Sequence, residues 1–71
     1  MCRSIKTLRK RDVIATDEEI EAAARQFVRK VTGFRTPSSR HEAAFEAAVG
    51  DVALASRRVL EEIRRGLRAQ A

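Results

Sequence analysis

Bulky apolar side chains are what this sequence has least of. It contains no tryptophan and no tyrosine, only three phenylalanines (Phe27, Phe34, Phe45), and much of its 44% apolar fraction is alanine. Alanine favours helix but contributes little burial area. A chain of 71 residues is one domain at most, and at that size about 60% of the unfolded surface is buried on folding. A core of this kind supplies roughly 3–5 kcal/mol on its own. Cys2 is the only cysteine, which excludes a disulfide framework within the chain and fits a reducing compartment. No apolar run approaches a membrane span, and the basic start lacks the apolar stretch of a signal peptide. The expectation is a cytoplasmic protein with no membrane association. The stability that its core does not supply is expected from a second copy of the chain or from a helical protein partner.

Charge is what the chain does carry. Fifteen Lys+Arg stand against ten Asp+Glu, a net charge of +5. Such a balance makes nucleic acid a candidate partner without singling it out.

Residues 1–14, MCRSIKTLRKRDVI, form a basic arm. Its apolar points, Ile5, Leu8, Val13 and Ile14, follow neither a period of 2 nor one of 3.6, so the arm is expected to be irregular or to hold a short strand. Helix signals begin at Thr16. Thr16 and Glu19 have capping-box spacing, and Asp17 and Glu18 place negative charge at the positive end of the helix dipole. Apolar residues then recur at Ile20, Ala23, Ala24, Phe27, Val28 and Val31, one stripe at helical spacing. Arg29 and Lys30 suit the last turn, Gly33 is the expected left-handed terminator, and Phe34 is placed to fold back on Val28.

The connection GFRTPSS holds the only proline, Pro37. A second capping box, Ser39 to Glu42, is expected to open the second helix. Its stripe, Phe45, Val49, Val52, Ser56, Val59, Ile63 and Gly66, alternates steps of four and three in the manner of a heptad seam, flanked by Ala48, Ala53, Leu60 and Leu67. Gly50 interrupts it, at a cost of about 1 kcal/mol relative to alanine, and leaves room for a close backbone approach. The predicted fold is all-α: an antiparallel two-helix hairpin, about 17–32 and 39–68, with an irregular basic N-terminal arm. Residues 1–71 form a single domain, divided into the arm (1–14) and the hairpin (15–71).

The hairpin can be registered from its turn. With the turn centred on Thr36, Phe27 meets Phe45, Ala23 meets Val49 and Ile20 meets Val52. The start of the first helix then falls opposite residue 55 or so, and the second helix runs on for another dozen residues, on the order of 18 Å. The arm leaves from the same end. Extended, residues 5–14 are long enough to cover Val59, Ile63 and Leu67, and a second copy is the alternative cover. Ten of the fifteen basic residues gather there: Arg3, Lys6, Arg9, Lys10, Arg11, Arg57, Arg58, Arg64, Arg65 and Arg68.

The stretches MCRSIKTL, ATDEEIEAAARQFVRKVTG, PSSRHEAAFEAAV and ASRRVL resemble a family of small bacterial proteins catalogued as a domain of unknown function, whose members open MCR-x-IK-x-L. The resemblance covers nearly the whole chain up to about residue 63. It departs in the arm, where RKRDVI stands in place of the paired prolines often found there. The resemblance implies a bacterial origin and no established activity, so it assigns no functional residue.

Chemistry-bearing residues are sparse. Cys2 reads either as a reactive terminal thiol or as a small terminal residue without chemistry. His41 lies near the turn, at the opposite end from the arm, and zinc wants about four ligands, so no metal or other cofactor is expected. Ser38 and Ser39 are explained by caps and Ser56 by the seam. Nothing supplies a nucleophile, base and orienting group together, and no catalytic residue is assigned. Of the bases, Arg57, Arg58, Arg64 and Arg65 stand three or four residues from Glu61 and Glu62 and read as ordinary helix-surface pairs. Arg3, Lys6, Arg9, Lys10 and Arg11 are opposed by Asp12 alone, and form the candidate nucleic-acid contact. The scarcity of aromatics argues against single-strand recognition by base stacking. The arm alternates too poorly, and the second helix is too long, for a ribbon-helix-helix repressor. A helix-turn-helix wants a shorter turn. The leading expectation is a non-catalytic helical interaction module with Val52, Ser56, Val59, Ile63 and Leu67 as its partner face. The alternative is a basic accessory protein that contacts nucleic acid or a ribonucleoprotein through its arm.

Overall fold

A computed structural model of the chain describes residues 8–10 and 13–70. Strand β1 (Arg9–Lys10) pairs antiparallel with β2 (Val13–Ile14), and helices α1 (Asp17–Thr32) and α2 (Ser39–Gln70) follow. In the ladder Arg9 stands opposite Ile14 and Lys10 opposite Val13. The described part of the arm therefore forms a minimal strand pair. The helices form the expected hairpin.

Local chemistry sets the ends of α1. The Thr16 backbone N–H donates to Glu19 Oε1 at 2.9 Å, and the Glu19 N–H donates to Thr16 Oγ1 at 3.3 Å. Two donors that helix geometry leaves orphaned are thus satisfied reciprocally. At the other end Gly33 takes φ 79° and donates its N–H to the Arg29 carbonyl at 2.8 Å. That left-handed conformation costs a residue with a Cβ roughly 1–2 kcal/mol, which is why glycine stands there. Thr32 adds a second brake: its hydroxyl donates to the Val28 carbonyl at 2.8 Å and accepts from the Phe34 N–H at 3.1 Å.

The start of α2 differs from the expected box. Ser39 is already its first helical residue, so the cap position falls to Ser38, whose carbonyl accepts from the His41 N–H at 3.0 Å. The helix begins directly after Pro37 and Ser38, one residue too early for Ser39 to cap Glu42.

Ile20, Ala24 and Val28 of α1 interlock with Phe45, Val49 and Ala53 of α2 to make the core. This rotates α1 relative to the expected pairing. Val28 is 3% exposed and Phe27 is 48% exposed, so Phe27 does not face Phe45 from inside the core. The buried residues of each helix are spaced strictly by four, a narrow stripe that slides round the helix by only about 40° per step. Ala24 within that stripe lets two thin helices approach closely, and the bulkier Phe27 is left on its flank. Phe34 lies outside the core cluster as well, exposed and stacked on the His41 ring rather than seated on Val28. Leu8, Ala15, Ala48, Val52 and Leu60 pack round the edge.

The two helices differ twofold in length. With 32 residues, α2 is on the order of 48 Å long, and the 16 residues of α1 reach about half of that. The molecule measures 49 × 23 × 17 Å, so its long dimension is α2 itself. No described helix is long and apolar enough to cross a membrane.

Candidate interaction surfaces

Beyond the start of α1, the core face of α2 continues as Val59, Ile63 and Leu67. The described part of the arm covers this overhang only in part. Strand β2 lies against α2, and Leu8 and Leu60 join the edge of the core. Val59 is nevertheless 54% exposed, Ile63 38% and Leu67 36%. The other two members of the expected partner face behave differently. Val52 packs against the core, and the half-buried Ser56 donates its hydroxyl to the Val52 carbonyl at 2.7 Å, a bond within its own helix. Gly66 and Gly50 hold no neighbour close: a Cβ on either would meet nothing within 4 Å. Neither glycine serves a close approach among the described residues.

The basic end is more neutral than its composition suggests. Arg57 reaches across the hairpin to Asp17 at 3.0 Å, in place of the expected neighbours on its own helix. Arg64 pairs with Glu61 at 2.9 Å and Arg65 with Glu62 at 3.2 Å, as three-residue spacing requires. Arg58 and Arg68 have no carboxylate partner among the described residues. Arg9 and Lys10 lie in β1, while Cys2, Arg3, Lys6 and Arg11 lie outside the described residues.

Across the middle of the hairpin, Arg25 grips Glu46 with both ends of its guanidinium, at 2.6 and 2.9 Å, and stands 3.6 Å from Glu21. The hydrogen bond from Arg25, aided by its charge and opposed by partial desolvation, holds the Glu46 carboxyl below its ordinary value. The same bond raises Arg25 further. Sequence reading misses this clamp, although a register centred on Thr36 places residue 25 within one position of residue 46.

The turn end holds the arrangement least visible in sequence. Gln26, Arg29 and Lys30 share one stripe of α1, Gly33 caps its end, and Phe34, Arg35 and Thr36 curl back beneath them. Together they line an open cleft of about 580 Å³. Three cations line it and no carboxylate does. Arg29 anchors the loop by donating from Nε to the Arg35 carbonyl at 3.0 Å. Phe34 is 40% exposed in the cleft wall, and its ring stacks on His41 with centroids 5.7 Å apart and planes inclined by 16°. Arg29 and Lys30 read in sequence as complements of the helix dipole. The signal that could have found the cleft is the run of bases 29, 30, 35 and 40 answered only by Glu42.

Among the described residues no group of three His, Cys, Asp or Glu side chains is placed to hold a metal ion. No curated protein and no solved structure is recognisably similar to the chain. A family model for an uncharacterized conserved protein (DUF2277) matches residues 1–70, and the chain belongs to that family.

Proposed function

We propose that this protein is a non-catalytic helical interaction module that self-associates through the overhang of α2. The observation that carries the reading is the continuation of the core face past the start of α1 as Val59, Ile63 and Leu67, each more than a third exposed. Apolar area left in water forgoes about 25 cal/mol per Å², a large fraction of the stability of so thin a core. A C2 pairing of two overhangs is self-complementary, because the same strip serves both copies. The reading as non-catalytic draws support from the polar groups themselves. Thr16, Thr32 and Ser56 spend their hydroxyls on backbone or cap bonds, and Asp17, Glu19, Glu46, Glu61 and Glu62 spend their carboxylates on caps or arginines.

Sedimentation velocity over a range of micromolar concentrations tests the proposal. A dimer that Ile63→Glu converts to a folded monomer supports it, and a wild-type monomer throughout that range refutes it.

A further inference from the structure

The cleft at the turn end has features that the self-association reading does not use. Its cations are not committed to acids: Arg29 is bonded to a carbonyl, and Lys30 and Arg35 have no ion-pair partner among the described residues. The C-terminus of α1 points a partial negative charge of about half an elementary charge into the same region. Three lining cations outweigh it, so the cleft has a net attraction for anions. Its one aromatic wall is also available. Among the described residues Phe34 has one ring neighbour, His41, and it is 40% exposed. A flat ring beside unopposed cations matches a nucleotide unit, with a base on the ring and phosphates on the guanidinium and ammonium groups. An acidic peptide has no use for the ring. A bilayer would want a convex apolar face, whereas this cleft is concave and its lining holds no aliphatic side chain.

We infer that the Arg29–Lys30–Phe34–Arg35 cleft binds single-stranded nucleic acid, with Phe34 as the stacking platform. The site lies at the opposite end of the hairpin from the strand pair that holds Arg9 and Lys10.

The test is fluorescence anisotropy of a labelled oligouridine, about a dozen nucleotides long, titrated with the full chain at about 50 mM salt. Lys30 and Arg35 make no ion pair among the described residues, and the double variant Lys30→Gln/Arg35→Gln removes both charges without placing a carboxylate at the negative end of the α1 dipole, so it should keep its helicity. It should bind at least about tenfold more weakly and with a shallower salt slope, by roughly 0.7 for each phosphate that is no longer neutralised. Phe34→Ala should weaken binding about fivefold or more while leaving the salt slope unchanged. A variant with Arg3, Lys6, Lys10 and Arg11 all changed to Gln should retain the Phe34 dependence. Four results would overturn the inference: no binding at low salt, equal affinity for a duplex of the same length, an unaltered affinity in Phe34→Ala, or recruitment to phosphatidylserine vesicles in place of the oligonucleotide.

Discussion

Arg25 and Glu46 close the hairpin as a two-pronged clamp, 2.6 and 2.9 Å across the gap between α1 and α2. Both side chains are partly in water, so the pair orients the helices more than it stabilises them. Its pH dependence has a definite sign. The folded Glu46 carboxyl titrates below its unfolded value near 4.5, so the contribution is fully present above that value. It is lost as pH falls through the lower, folded value. Chemical denaturation of wild type and Glu46→Gln should therefore show a stability gap at neutral pH that closes on strong acidification. A gap independent of pH would mean that the clamp contributes only through shape.

The rotation of α1 makes an unequal pair of adjacent residues. Val28→Ala removes a fully buried side chain and should cost about 1.5–3 kcal/mol, most of what this core supplies. Phe27→Ala removes the larger ring from a half-exposed site and should cost less. Urea midpoints of the two variants would decide it. The opposite order would restore the pairing of Phe27 with Phe45 that sequence alone suggests.

Thr16→Ala removes the hydroxyl that accepts from the Glu19 N–H and leaves the backbone arm of the capping box in place. A loss of about 1 kcal/mol is expected. In a domain of this size that lowers the melting temperature by roughly 4–8 °C.

The three glycines separate by backbone geometry. Gly33→Ala places a Cβ at φ 79° and should destabilise by about 1 kcal/mol or more. Gly50→Ala and Gly66→Ala occupy open helical positions and should each stabilise the fold by up to about 1 kcal/mol. Gly66 carries a further distinction. If copies pair closely across it, Gly66→Ala raises helicity while weakening association, and sedimentation of that variant separates the two effects.

Elements whose determinants are local are readable from sequence. Thr16, Glu19 and Gly33 act within one turn of their own position, and they bound α1 at 17–32 without help from the rest of the chain. The hairpin and its approximate register follow from two stripes and a turn. What escapes depends on rotation about the helix axis. A stripe holding both Phe27 and Val28 does not say which faces inward, because the choice is made by how closely Ala24 lets α2 approach. The cleft escapes for a related reason. Arg29 and Lys30 sit on the outer face, and only the loop folding back to bring Arg35 and Phe34 beneath them turns a charge run into a concavity.

The twofold mismatch in helix length divides α2 into two regimes of local stability. Residues 45–53 are locked between helices, so their amides should exchange with deuterium only when the whole hairpin opens. Among the described residues, 61–70 rest on little beyond their own backbone bonds and the two arginine–glutamate pairs, and a free helix of that length is marginal in water. In dilute protein those amides should exchange by fraying, at rates indifferent to global stability. Their protection should climb with protein concentration if copies pair, so the far end of α2 would report assembly amide by amide.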